Sequence, residues 1–579
     1  MRHPFIYLLF LSTLVGFMTE PIQEIEAQQI NAGYDRPTPF SNQSRSVVLS
    51  RHGMVATSHP LAAQVGVDIL QQGGNAVDAA IAVNAMLGVV EPMSCGIGGD
   101  LFAIYWDAKK QKLYGLNASG RSPYAATLEH FQELGLDYIP ITGPLGWSVP
   151  GCVSGWDKLQ HRFGNLALSD VLTPSIHTAR EGFPVTEVIA GSWRGSESAL
   201  KQYADSAATF LLNGSRAPGF GEIFKNPNLA NSYQLIAEQG ADAFYRGAIA
   251  KEIIRYSEAH GGLFSMKDFK NHTADWIDPV STNYRGYDVW ELPPNGQGIA
   301  ALQILNLLEP YDVRSMGPGS PDYLHLFTEA KKLAFADRAK FYADIDASDV
   351  PVAELISKEY AKRRGTLIDM ARAADDVPAG DPRLQHGDTV YLTVVDKDRN
   401  CCSLIQSNYY GFGSDVVPGN VGFALQNRGA LFALDEDHLN GLEPHKRPFH
   451  TIIPAMVTKD GKPWFCFGVM GGDMQPQGHV QVLINMIDFG MNVQQAGDAA
   501  RIRHIGSAQP TGKPADGSGV VHIETGISDP IAQELEKRGH RIVRSVGGFG
   551  GYQGILIDHD ADVLHGATEP RKDGAAIGY

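Results

Sequence analysis

The sequence predicts a layered protein of mixed helix and sheet, and two kinds of pattern carry that expectation. One is helical spacing of apolar residues. An amphipathic stretch follows Pro60 and stops at Gln72-Gly73-Gly74, an Ala-rich segment opens at Asn75, and a long run spans Tyr323 to Tyr342. The other is a set of short β-branched and aromatic runs bounded by turn residues, such as Leu101–Trp106 and Thr389–Val395. The two patterns alternate along the chain, which fits a layered architecture without selecting one.

Taken in order, residues Gln28 to Arg51 read as polar and extended. The Gly73-Gly74 pair is a helix stop, and Asn75 begins a buried helix. The loop Glu91–Asp100 contains Gly96-x-Gly98-Gly99, but helix, loop and strand follow in the reverse order of a dinucleotide fingerprint, so a close-packed turn is expected. Residues 115–275 mix short helices with Gly/Pro turns. Helices are expected at Ile299–Leu308 and Tyr323–Tyr342. The stretch from Arg363 to Gln385 turns polar, with Asp375-Asp376, Pro378 and Pro382, as an exposed loop would. Further on, Val421–Asn427 and Ile452–Val457 read as strands, Gly468–His479 as a turn running into a helix, and Asp529–Gly539 as a helix followed by two strands.

Composition bounds the function. With 43% hydrophobic and 19% charged residues the 579-residue chain has an ordinary globular make-up and ample length for a large core. A net charge of −16 argues against a nucleic-acid or anionic-membrane partner. Five cysteines, of which Cys401 and Cys402 point to opposite faces of one strand, make neither a zinc site nor a disulfide framework, and buried thiols are expected. Arg2 and His3 precede the apolar run Phe5–Met18, which reads as a secretory signal ending near Ala27 and implies a secreted or periplasmic protein with no membrane span after its removal.

The stretch His386–Asp396 switches from a polar loop to a strand at Thr389, and Asp396–Asn400 reads as a hairpin turn into a second strand, Cys401–Ser407. A four-residue loop would set Thr389 opposite Asn408; a three-residue loop would set it opposite Ser407. Either register places a hydroxyl beside a strand-initial threonine.

Asp388-Thr389-x-x-x-x-Val394-Val395-Asp396-x-Asp398-x-Asn400 resembles the processing site of the γ-glutamyltranspeptidase family. The likeness continues in the amino-terminal block, in Pro293–Gly298, in Glu329–Arg338, in Gly471-Gly472 and in the carboxyl-terminal Glu569–Tyr579, covering roughly residues 50–579. It implies a four-layer αββα sandwich of the N-terminal-nucleophile type. It also implies one precursor cut between Asp388 and Thr389 into a large subunit, 28–388, and a small subunit, 389–579, that stay interlocked. The chemistry suits the residue: a free N-terminal Thr carries its own base, because its α-amine lies within reach of its Oγ. By the same resemblance Ser407 supports that amine, Gly471 and Gly472 form the oxyanion hole, and no cofactor or metal is expected. The partners implied are a small-molecule amide, and water or an amine or peptide acceptor.

The substrate-binding set departs from the family's pattern. Arg121 stands two residues away from the family's carboxylate-binding arginine, where this chain has Ser119. Around Asn427 the family carries a Gln and an Asp for the glutamyl α-amine; here Arg428 and Leu431 stand in that segment. His450 and Thr451 replace paired serines, Val390 replaces the Thr after the nucleophile, and Tyr409 is a further pocket residue. The family implies hydrolysis or transfer of γ-glutamyl groups from glutathione-like amides. The substituted residues favour a same-fold acylase for glutaryl, oxalyl or related anionic acyl groups without an α-amine. A degenerate binding homologue is the non-enzyme alternative, against which the retained Asp388-Thr389, Ser407 and Gly471-Gly472 argue.

Overall fold

Period-two burial along the central strands builds two stacked sheets. In strand Asp388–Val395, Val390, Leu392 and Val394 join a core shared with helices, while Tyr391 and Val395 join a second core between the sheets. In the neighbouring strand Cys401–Tyr409, Cys402 and Leu404 face the helices and Cys401 and Ile405 face the other sheet. The other sheet repeats the pattern: Phe465, Phe467 and Val469 face helices, and Cys466 and Met470 face inward. A strand hydrophobic on both faces has to be covered twice, and the result is four layers, helix–sheet–sheet–helix.

The computed structural model describes residues 43–374, 388–507, 509–512 and 514–579, and Ser44–Tyr579 form one compact unit. The first sheet runs, neighbour to neighbour, Ala575–Gly578, Met54–Thr57, Asp388–Val395, Cys401–Tyr409, Asp100–Asp107, Lys112–Ala118 and Asp275–Ile277. The second runs Val48–Ser50, Val563–Thr568, Gly551–Asp558, Lys462–Met470, Ala455–Lys459, Tyr287–Glu291 and Val280–Tyr284. Residues from both sides of position 388 therefore supply strands to both sheets. The five cysteines are buried thiols with no disulfide among them.

The helices form where the sequence places them. Asn75 caps Ala76–Val90 in a capping box: its side chain accepts from the Val77 and Asp78 N–H groups, and Asp78 accepts from the Asn75 N–H. All fifteen residues of that helix are buried, as its Ala-rich composition predicts. Pro60–Gln71, Gly298–Leu308 and Pro321–Phe341 match the other expected helices within two residues.

Several expectations need correction. Val421–Asn427 is not a strand: its backbone bonds go to Val416, Gly98, Ser414 and Asn408 in turn, and a segment that changes partner at each step forms no ladder. The strand expected at Ile452–Val457 starts at Ala455, after Pro454, and ends at Lys459. The helix Asp529–Lys537 is followed by four strands rather than two, Ile542–Arg544, Gly551–Asp558, Val563–Thr568 and Ala575–Gly578. Glycines hide them. At Gly566 a Cβ would come within 2.2 Å of the Met54 sulfur, so packing forbids the β-branched residue that would mark a strand. Helix Lys358–Gly365 extends into the expected loop at 363–385, and residues 375–385 of that loop lie outside the described residues, as does the signal segment 1–27.

Candidate active site

The Thr389 hairpin closes with three loop residues. The Asp396 N–H donates to the Asn400 carbonyl at 3.1 Å, and Arg399 takes the left-handed conformation (φ +65°) that ends such a loop. The Asp396 carboxylate holds the turn by accepting from Asp398 and Asn400, and ties it to the helix Ala76–Val90 by accepting from the Ala76 N–H at 3.1 Å. The ladder then runs from Val395 opposite Cys401 to Val390 opposite Gln406, and shifts so that Asp388 faces Tyr409. Thr389 sits in that irregularity with its Oγ1 3.3 Å from Ser407 Oγ, buried to 1% exposure. Of the two expected registers, the ladder from Val395 to Val390 follows the three-residue one, while Thr389 itself falls in the shift and meets Ser407 through its side chain.

Ser407 Oγ is the first link of a buried polar chain. It accepts from the Tyr409 N–H and from Arg428 Nη2, both at 2.8 Å. Arg428 Nη1 donates to Thr451 Oγ1 at 2.6 Å, and the guanidinium lies 4.6 Å from the centre of the Tyr409 ring. Burial pulls the Arg428 pKa down to about 10, with Asp100 opposing, so it stays charged at neutral pH. His450 accepts from the Ile452 N–H at Nδ1, which leaves Nε2 as the N–H that donates to Asp100 Oδ2 at 3.1 Å. Burial, then the Arg428 charge, hold His450 neutral with a pKa of about 4.

The Gly471-Gly472 turn follows strand Lys462–Met470 and leads into helix Met474–Ile487, with φ of +116° and +58°. Both angles favour glycine. Among the described residues neither glycine's N–H has a hydrogen-bond partner, which suits a site for developing negative charge. Packing between the sheets sets the turn's height. Gly468 lies directly on the Tyr391 ring and Cys466 beside Thr393, so the two strands run antiparallel across the interface. Continuing that pattern by two residues brings Met470 to the level of Thr389. Gln297 braces the turn from behind, its Nε2 donating to the Thr451 carbonyl at 2.6 Å and to the Gly472 carbonyl at 2.9 Å. Arg338, wholly buried, donates to Gln297 Oε1 at 2.6 Å and pairs with Asp473 at 2.7 Å.

The chain thus brings together Thr389, Ser407, Arg428 and Thr451, with Tyr409 and His450 packed alongside. Asn427 holds the neighbouring loop, donating to the Ile141 carbonyl at 2.7 Å. Arg121 is committed elsewhere: it pairs with Asp275 at 3.0 Å, on the outer strand of the first sheet, and donates to the Thr273 carbonyl. Three supporting residues escape a reading of motifs. Asp100 ends the glycine loop, Gln297 lies in Pro293–Gly298 and Arg338 ends Glu329–Arg338. The last two lie inside family-like segments, which was the available signal, but neither segment says which side chain faces the site. Among the described residues His325, Glu329 and His540 bring ligand atoms within 4.8 Å of one another, yet His325 bonds His540 and Glu329 pairs with Lys332, so the group answers its own charges. An open cleft of about 710 Å³ adjoins the centre, lined by Tyr410, Gly471, Arg503, Gly548 and Arg571 among others.

Comparison with known proteins places the chain in a family. The family model described as gamma-glutamyltranspeptidase matches residues 62–579. The chain is 40% identical over 541 residues to the glutathione hydrolase-like YwrD proenzyme of Bacillus subtilis (strain 168), covering 92% of this chain and 99% of that one. It is 33% identical over 552 residues to the glutathione hydrolase proenzyme of Escherichia coli (strain K12), covering 92% and 93%. Among solved structures it resembles the crystal structure of cephalosporin acylase from Bacillus halodurans, with a TM-score of 0.86 and 42% identity over 94% of this chain and 99% of that one.

Proposed function

The chain belongs to the gamma-glutamyltranspeptidase family, a family of N-terminal-nucleophile hydrolases and transferases, and from that premise we propose that Thr389 is its nucleophile. The observation that carries the proposal is the buried chain Thr389–Ser407–Arg428–Thr451, which joins a strand-initial hydroxyl to a charged group suited to a carboxylate. In the precursor, Thr389 Oγ attacks the Asp388 carbonyl carbon and the peptide C–N bond breaks as the ester C–O bond forms. Water then cleaves the ester, leaving the Asp388 carboxylate and a free Thr389 α-amine. That amine, with a reference pKa of about 7.7–8.0, takes the proton from Oγ as Oγ attacks the substrate amide. The N–H groups of Gly471 and Gly472 receive the oxyanion, the protonated amine product leaves, and water or an amine acceptor releases the acyl group.

The substrate is an amide whose acyl half carries a carboxylate, γ-glutamyl amides of the glutathione type included. A second reading narrows this to acyl groups without an α-amine, and Leu431 favours it. In the 3₁₀ turn Arg428–Leu431 the two residues stand at positions i and i+3, and Leu431 is wholly buried in an apolar core with Tyr409 and Phe449. Leu431 itself offers an ammonium no acceptor. The large and small subunits are 28–388 and 389–579, and residues 1–27 direct export and are removed from the mature protein. Among the described residues no helix is long and apolar enough to cross a membrane. The test is to purify the protein, identify a fragment starting at Thr389 by amino-terminal sequencing, and assay the cut form on glutathione and on a glutaryl amide. An uncut chain, or a cut one inactive on both, would overturn the reading.

A further inference from the structure

Arg503 lines the open cleft with its guanidinium laid against Gly548, so close that a Cβ there would lie 2.6 Å from Nη1. Gly548 also has φ +81°, so two separate constraints keep that wall free of a side chain. The guanidinium is half-buried, its Nε is buried without a partner, and no described residue forms an ion pair or hydrogen bond with it. The nearby acids are committed elsewhere. Glu524 is held by Arg571 at 2.6 Å through Nε and Glu569 by Arg571 as well, while Asp473 is held by Arg338. A partly desolvated cation that feels Asp473 only at a distance and pairs with no acid, on the wall of an open cleft that reaches Gly471, is placed to meet an anion from outside.

The two sides of the centre differ in access. Arg428, His450 and Thr451 are at most 2% exposed and make the closed side of the centre, which the functional reading gives to the acyl half. The cleft at Tyr410, Gly471 and Arg503 is open, and the amine that leaves when Thr389 is acylated has to depart toward solvent. We propose that Arg503 binds a carboxylate on the leaving amine, so that preferred substrates are anionic on both sides of the scissile amide. The proposal rests on the assignment of Thr389 as nucleophile and of Arg428 to the acyl side.

The experiment uses four chromogenic amides: 4-nitroanilide and 3-carboxy-4-nitroanilide, each with a γ-glutamyl and a glutaryl acyl group. The self-cleaved wild type is expected to favour the carboxylated anilide within each pair. Arg503→Gln should lower the carboxylated-to-uncharged ratio of kcat/KM by about fivefold or more, a discount from a fully buried charged hydrogen bond because the site is open to water. Arg503→Lys should restore part of the ratio. Because each ratio is internal to one preparation, a general loss of folding or of active enzyme cancels. A ratio that stays within about twofold of wild type in both pairs overturns the role of Arg503 alone. No turnover of any of the four amides by cut wild type counts against the functional reading and removes this one with it.

Discussion

Arg428 and Ser407 are joined by a 2.8 Å hydrogen bond from Nη2 to Oγ, which puts a permanent positive charge one hydroxyl away from Thr389. A charged donor to that hydroxyl, buried beside Thr451, is suited to an anionic group on the acyl side, as the proposed function requires. Arg428→Gln should therefore lower kcat/KM on a glutaryl amide by about tenfold or more relative to the uncharged butyryl amide. A side-by-side assay on the two amides checks this; an unchanged ratio would mean that Arg428 only holds the hydroxyls in place.

Thr389→Ala removes the hydroxyl proposed to attack at the expected cut. The chain should remain one piece on a denaturing gel and show no amidase activity. Thr389→Ser keeps the oxygen and should cleave more slowly. Cleavage of the alanine variant at the same bond would refute the nucleophile assignment.

Between γ-glutamyl and glutaryl donors the choice rests on Arg428 and Leu431 together. Both donors offer a carboxylate to Arg428, but on the acylase reading the γ-glutamyl ammonium lies against the apolar Leu431 and is desolvated without a carboxylate partner. A loss of even 1.4 kcal/mol makes the glutaryl amide about tenfold better in kcat/KM. Leu431→Asp should narrow or reverse the preference, at a cost in stability because the new carboxylate would be wholly buried. A clear wild-type preference for the γ-glutamyl donor would assign the amine to Tyr409, His450 or Thr451 instead.

Arg338 is 0% exposed and Asp473 carries 16% side-chain exposure, and their pair stands behind the Gly471-Gly472 turn. Replacing Arg338 with Leu leaves Asp473 buried without its cation and should destabilise the protein by about 3–5 kcal/mol. The double variant Arg338→Leu/Asp473→Leu should recover much of that loss. Denaturant melts of the three proteins give the comparison.

Buried neutral histidines set an acid limit. Burial holds His450 and His59 near a pKa of about 4, and His479 and His272 near about 3, all below the ordinary histidine value of 6.5. In each case the unfolded chain binds the proton more readily, so the stability they contribute is full above pH 6.5 and is lost as pH falls toward the folded values. At pH 5 each such group gives up on the order of 2 kcal/mol. Melting temperature should fall steeply between pH 6.5 and 4, and His450→Gln should flatten that slope. A wild-type melting temperature independent of pH over this range would contradict it.

The sequence by itself determined what depends on neighbours in the chain. The Thr389 strand with its polar lead-in, the Asn75 capping box, the Ala-rich helix behind it and the glycines before helix Met474–Ile487 all follow from local spacing and turn chemistry. So did the opposite facing of Cys401 and Cys402, which period two requires. The tertiary structure alone decided what depends on partners far apart in sequence. Ser407 and Arg428 meet Thr451, Gln297 reaches Gly472, and Arg338 reaches Asp473. Arg121 turned to Asp275 because that carboxylate stands on the adjacent edge strand, which no local pattern records. Side-chain period and capping are short-range steric and hydrogen-bonding effects, and sequence order carries them. Which buried charge answers which is settled only when the two sheets close and every polar group left inside has to find a partner.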